Sequence, residues 1–453
     1  MARAPPTAYF FVHGKHGKRG KFQKTEVGTE IMMISAAECL EQLGVVDSLE
    51  LVAPHWEASQ AEFPEDGLFF LRREVWLRNR ALCGFGSEYD QRFQRVADEI
   101  EKSEAFRHLV WHMYWRVFRS PVPAQLANSW PEIAMLGDDA GLPGLLVALS
   151  WAPLLLEYHR QLGLPEEATI ETLRQVQVFC EINYRRAFGG RPGIFPGQLS
   201  WLKSYLKNPY LRIGRFEYCL QPASDSLLIY RHRSSGQVIA LCEAGMQFTA
   251  AGFRLGSPEE YEQEPDSWVS TLEFPAGAVC GNPILPQGYA LRKTLTLPLD
   301  QWEQVFSRGD DCLRMHIPAG GRMTPECCGE SLKRARDFFR KYFPQRNIRA
   351  VTCASWIFNP DLEEIMPKGA NLTAFQRELY LYPVASGPWD GLWFIFLKNG
   401  KPDATFPRET DLQRRILAFI ESGRRWRSGG MVILLEDIEH FGTQFYRNNF
   451  PEI

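Results

Sequence analysis

Residues 310–343 read DDCLRMHIPAGGRMTPECCGESLKRARDFFRKYF, and the fold turns on this stretch. Cys312-Leu-Arg-Met-His-Ile has the length and composition of a short strand, and Pro318-Ala-Gly-Gly-Arg follows as a glycine turn. Thr324-Pro-Glu then opens a helix, with threonine at the N-cap and proline in the first helical position. Leu332, Ala335, Phe338, Phe339 and Tyr342 recur on one face of that helix.

A strand, a glycine turn and a helix N-terminus gather unpaired backbone N–H groups and the positive end of the helix dipole at one place. A pyrophosphate or the phosphate of a phosphopantetheine arm fits there. Ile317, Ala319, Gly320, Gly321, Arg322, Met323 and Thr324 are the candidate binding residues, with Arg322 supplying a direct charge. Such units also serve as plain connections in α/β proteins, so the pattern alone is weak.

Working outward, residues 348–358 form an apolar strand in which Cys353 and Ser355 share one face and Trp356 and Phe358 the other. Asn359-Pro-Asp-Leu-Glu begins a short helix, and residues 373–383 and 391–397 read as two closing segments of strand character. Upstream, residues 211–219, 226–232 and 237–241 show strand-like alternation, with Ser234-Ser-Gly as a hairpin turn between the last two. Before residue 207 the pattern is helical. Ile31, Met32, Ile34 and Leu40 recur near a 3.6-residue period, and residues 103–115, 145–162 and 170–188 extend it. The expected fold class is therefore α+β: a mainly helical N-terminal domain over residues 1–207, then a mixed β-sheet domain flanked by helices over residues 208–453.

The 453-residue chain exceeds the size at which single cores stop growing, consistent with two domains. Its net charge of −3 provides no global field for nucleic acid or an anionic membrane. The basic run in residues 13–21 has no aromatic side chain interleaved with its charges, and reads as a solvated tail. Ten cysteines without a recognisable leader fit reduced thiols in the cytoplasm. The cysteines and nine histidines lack zinc-site spacing, so no metal is expected. The longest apolar run, residues 142–156, is broken by Pro143, Gly144, Ser150 and Pro153 and is too short to span a bilayer.

The order of elements resembles the GNAT superfamily of N-acyltransferases. More narrowly, Gly281-Asn-Pro-Ile, His316-Ile-Pro-Ala-Gly-Gly, Ser355-Trp, Phe375-Gln-Arg and Thr410-Asp-Leu-Gln-Arg look like those of bacterial two-domain acyltransferase-domain proteins, which pair a helical N-terminal domain with a GNAT-like C-terminal domain. The resemblance covers roughly residues 120–445. It implies acyl transfer from a thioester to an amine by direct attack, with the donor in a gap between two splayed strands and its pyrophosphate on the following helix. It departs from the superfamily at Gly320-Gly-Arg, which lacks the usual phosphate-loop glycine spacing. The donor it implies is acyl-CoA or the phosphopantetheine of an acyl carrier protein; the acceptor is a small-molecule or peptide amine.

Under that resemblance His316 is the first candidate for the general base, against a structural role in fixing its turn. Ser355 is placed to protonate the leaving thiolate or to bind pantetheine. Cys353 is a less favoured candidate for covalent acylation, because no His or acidic residue adjoins it in sequence. Tyr380 corresponds in position to the general acid of superfamily members. Lys333, Arg334, Arg336, Arg340 and Lys341 read as a solvated face, or as a surface for an acidic carrier protein. The helical domain is expected to roof the acyl-binding gap. The competing class is a non-catalytic binding or scaffold protein with a degenerate GNAT-like domain.

Overall fold

A computed structural model describes residues 34–122 and 130–453. The basic run in residues 13–21, together with Ile31 and Met32, lies outside the described residues. Among the described residues from Ser35 to Leu206 the elements are α-, 3₁₀- and π-helical. Ser35 opens the first helix, Ala36–Gln42, with a reciprocal capping box to Glu38. Ser103 caps Glu104–Tyr114 by accepting from the Phe106 N–H at 3.2 Å. The apolar run expected as one helix over residues 145–162 is two, Leu142–Leu149 and Trp151–Gln161. Ser150 separates them, its hydroxyl donating to the Val147 carbonyl, and Pro153 falls in the first turn of the second helix where its missing N–H costs nothing.

The chain then builds a six-stranded sheet: β1 (Tyr210–Ile213), β2 (Phe216–Pro222), β3 (Asp311–His316), β4 (Ala350–Ser355), β5 (Tyr380–Pro383) and β6 (Gly429–Leu434). Their spatial order is β1-β2-β3-β4-β6-β5. Only β3 and β4 are parallel; every other neighbour is antiparallel. The parallel pair is joined by the long helix Pro325–Tyr342, which buries Leu332, Ala335 and Phe339 in the same core as Tyr218, Leu313, Met315 and Val351. Ser331 of that helix donates to the Ile213 carbonyl and accepts from the Phe216 N–H at 3.2 Å, which fixes the helix against the β1–β2 hairpin.

A second, five-stranded antiparallel sheet packs beside the first, with Leu227–His232 and Val238–Cys242 at its centre. The Ser234-Ser-Gly turn joins these two as expected, with Gly236 at φ 73°. Two expectations are corrected. Residues 373–383 are a strand only at their end: Asn371–Arg377 is helical, burying Thr373, Phe375 and Gln376, and Tyr380–Pro383 alone is β5. Residues 391–397 form no strand: Gly391 at φ 80° starts a helical turn, Leu392–Phe396, whose Leu392, Ile395 and Phe396 enter a satellite core with Ile416, Leu417 and Trp426. The spacing of those residues is helical, and the run of aromatics disguises it. The sheet is completed instead by β6, which follows the helix Asp411–Glu421.

The helical region covers the free edge of β1. Thr172 accepts from the Arg212 N–H at 3.0 Å and Glu171 from the Gly214 N–H at 2.8 Å, so an edge that would otherwise invite pairing is occupied.

Candidate active site

The β3–β4 ladder ends early. Cys312, Leu313 and Arg314 stand opposite Ala350, Val351 and Thr352, and there the parallel pairing stops. Beyond it, Met315 and His316 remain paired to Tyr218 and Glu217 of β2, while Cys353, Ala354 and Ser355 remain paired to Met431, Gly430 and Gly429 of β6. Each strand follows its other neighbour, and the two part. A cavity of about 1050 Å³ opens in the gap.

His316 lines this cavity with 30% of its side chain exposed, and Trp201 from the helical region lies against it, ring centroids 5.4 Å apart. Burial, reinforced by Arg212 and Arg215, pushes its pKa down to about 4, so the imidazole is neutral at physiological pH. Nε2 faces the Glu217 carboxylate at 4.0 Å.

The turn after β3 matches its sequence reading in part. Ile317, Ala319, Gly320, Gly321 and Met323 line the cavity. Gly320 and Gly321 both take φ near +75°, at 77° and 73°, which only glycine adopts without strain. A side chain at Gly320 would meet Ile182 of the helical region at 2.4 Å, so the two parts of the molecule close on each other over this loop. Among the described residues, no backbone N–H from Ala319 to Thr324 donates to a protein group. Thr324 itself caps the helix, accepting from the Cys327 N–H at 3.4 Å, and Pro325 removes one further donor. Among the described residues the free donors are thus those of the loop and, on the helix itself, the Glu326 N–H.

Arg322 is exposed and not part of the cavity wall. The cation at the loop is Arg215, which lines the cavity, donates to the Pro318 carbonyl at 3.0 Å and passes within 3.6 Å of the position a Gly321 side chain would take.

The remaining candidates separate. Ser355 lines the cavity and caps the turn Trp356–Phe358, accepting from the Ile357 N–H at 3.4 Å. Cys353 also borders the cavity but is 4% exposed, and burial pushes its thiol up to about 12. A thiol that stays protonated is a poor nucleophile, which argues against covalent acylation there. Tyr380, expected as general acid, is fully buried away from the cavity. Its hydroxyl donates to the Ile284 carbonyl and accepts from the Ala240 N–H at 3.1 Å, tying the two sheets together. Tyr380→Phe should therefore cost about 1–3 kcal/mol in urea unfolding, by orphaning two buried backbone groups, and leave kcat unchanged.

The basic run on the long helix is not simply solvated. Arg336 is buried and paired with Glu439 and Asp337, and Arg334 reaches Glu171 at 3.6 Å.

Sequence reasoning missed Glu217, Arg314, Arg215 and Lys207. Glu217 carried a readable signal, a lone acid between two aromatics in a buried strand. Arg314 precedes His316 by two residues and so shares its face. It bonds Asp225 at 2.9 Å, which also accepts from the Tyr382 hydroxyl. Lys207 comes from the end of the helical region and enters the wall only through tertiary packing.

A model of the N-acyltransferase N-terminal domain matches residues 80–207, and a model of the GNAT-like C-terminal domain matches residues 210–433. Solved structures of similar fold include an acyltransferase in complex with decanoyl-CoA and teicoplanin, 20% identical, with 89% of this chain and 100% of that one covered at a TM-score of 0.57. An acyltransferase in complex with CoA and 10C-teicoplanin is 19% identical over 89% and 100% of the two chains, with a TM-score of 0.57. Another, with decanoyl-CoA, is 20% identical over 88% and 99%, with a TM-score of 0.54. No curated protein sequence matches. The two domain models lie side by side and together span residues 80–207 and 210–433: the chain belongs to the two-domain GNAT-like acyltransferases.

Proposed function

We propose that this protein transfers a fatty acyl group from acyl-CoA to an amine on a small molecule or peptide. The observation that carries the reading is the parting of β3 and β4 after Arg314 and Thr352, with a cavity of about 1050 Å³ in the gap. Strand edges that lack a partner there offer backbone groups to the amides of a pantetheine arm. The loop from Ala319 to Thr324 offers N–H groups, and Arg215 a positive charge, to the pyrophosphate.

The cavity also exposes large apolar side chains, Trp201 at 41% and Phe394 at 60%. Uncovered aromatic surface inside a cleft suits an acyl chain better than an acetyl group. The decanoyl-CoA seen with the structural relatives supports that donor class, and the teicoplanin beside it supports a glycopeptide-like acceptor. Carrier-protein docking on the long helix loses support, because Arg334 and Arg336 are already paired.

In this reading the acceptor nitrogen attacks the thioester carbonyl, the C–N bond forms and the C–S bond breaks. Nδ1 of His316 takes the proton that nitrogen sheds, and the departing CoA sulfur is protonated in turn. Proximity contributes most, and the base adds about 10²–10⁴-fold. Ser355 stands on the β4 side of the gap as the donor to the leaving sulfur.

A thermal-shift series with decanoyl-CoA, acetyl-CoA and free CoA tests the reading. Decanoyl-CoA should raise the Tm most, since stabilisation follows RT ln(1 + [L]/Kd), and CoA release should accompany it when an amine is added. No shift with any of the three would favour the scaffold alternative.

A further inference from the structure

Directly behind the imidazole of His316 lies a carboxyl group that, among the described residues, no lysine or arginine meets in a salt bridge. Glu217 stands opposite His316 in the β2–β3 register and is wholly buried, and among the described residues no hydrogen bond of ordinary geometry reaches either of its oxygens. An unpaired carboxylate in such a place is costly, and folds retain one mainly where it acts or where it holds a proton. Nε2 of His316 lies 4.0 Å away, and the buried Tyr205 hydroxyl, which makes no other hydrogen bond among the described residues, is the group that favours the ionised carboxylate.

We infer that Glu217 is a positioning residue for His316: once ionised, it holds the Nε2–H tautomer, steadies the imidazolium formed as the acceptor sheds its proton, and so sets the pH at which the site turns on. This rests on His316 being the base of the acyl-transfer reading. The logic is that of an acid oriented behind a histidine, with the carboxylate facing one ring nitrogen and the substrate the other.

The surroundings are consistent with the role. Arg212 of β1 and Arg215 of the β1–β2 turn face the pair, but they spend bonds on Gln175 and on the Pro318 carbonyl respectively. Tyr205 and Tyr210, stacked with centroids 4.1 Å apart, close the remaining side with Trp201. Burial pushes Glu217 up to about 7 and His316 down to about 4, so between those values the carboxyl holds a proton and the imidazole does not. As pH rises through about 7 the carboxylate ionises and the neutral imidazole becomes a stronger base. Over a turnover the proton passes from the acceptor nitrogen to Nδ1 and then, by way of the Ser355 hydroxyl, to the CoA sulfur; Glu217 gains and loses none.

The test is an NMR titration of the full-length protein carrying ¹³C-labelled histidine, with the His316 signal assigned by its loss in His316→Gln. In the wild type that signal should show an inflection near 7 that reports Glu217, and Glu217→Gln should abolish it. Decanoyl-CoA and methoxyamine, an acceptor unprotonated across the range scanned, provide the kinetic arm. There Glu217→Gln should lower kcat about 100-fold, flatten the acid limb of the pH profile and leave KM for decanoyl-CoA unchanged, while Glu217→Asp retains the limb. A His316 signal that titrates identically in wild type and Glu217→Gln overturns the inference, as does an unaltered acid limb in that variant. If the wild type acylates no amine, the function reading falls, and the titration still decides the role of Glu217.

Discussion

Replacing His316 with glutamine is expected to lower kcat for acyl transfer by about 10²–10⁴-fold and to leave KM for acyl-CoA within about twofold. The imidazole lies on the β3 side of the gap and is neutral at working pH, because burial and two arginines disfavour its charged form. It therefore has an open lone pair when the acceptor arrives. Donor binding in this account depends on the backbone of the strand edges and on the loop from Ala319 to Thr324, neither of which the His316 side chain supplies, so the loss should fall on the chemical step. Residual activity should stay above the uncatalysed rate, since holding amine and thioester together is independent of the base. Steady-state kinetics with the donor varied at saturating amine separates the two terms. A variant with raised KM and unchanged kcat would make His316 a binding residue.

The second large effect is steric. Ala354→Trp is expected to lower kcat/KM for acyl-CoA by more than about 100-fold and to abolish the thermal shift given by free CoA, with the Tm of the unliganded protein nearly unchanged. Ala354 is an exposed residue of β4, lines the cavity, and sits in the segment that no longer pairs with β3. A large ring there fills the space between the strands without entering the core. Since the substitution removes no internal hydrogen bond, lost binding with intact stability would locate the donor in the gap. Unimpaired donor binding would place it elsewhere.

The segments that decide the fold were legible because they are locally determined. The strand–turn–helix of residues 310–343 carries its own cap, its own turn glycines and a helical apolar face, and each needs only nearby residues to form. Residues 391–397 misled because aromatic and β-branched residues in a short run suit a strand as well as a buried helical turn, and only their packing partners decide. β6 escaped for the same reason: Gly429 and Gly430 open it, and its identity as a strand comes from lying between β4 and β5.

At the site, His316 and the glycine loop could be read from spacing, because they belong to one continuous segment. Glu217 could not be joined to His316 in that way. It is 99 positions earlier in the chain, and the antiparallel β2–β3 register alone brings it opposite the imidazole. Tyr380 shows the converse, since its place in sequence suggested a catalytic hydroxyl and its place in the fold is a bond between sheets.

The most direct measurement is the crystal structure of the protein with decanoyl-CoA. The pantetheine arm is expected between Met315–Ile317 on one side and Cys353–Ser355 on the other, the pyrophosphate against residues 319–324, and the thioester carbonyl within reach of His316. A donor bound outside that gap, or strands β3 and β4 hydrogen-bonded to their ends around it, would contradict the account.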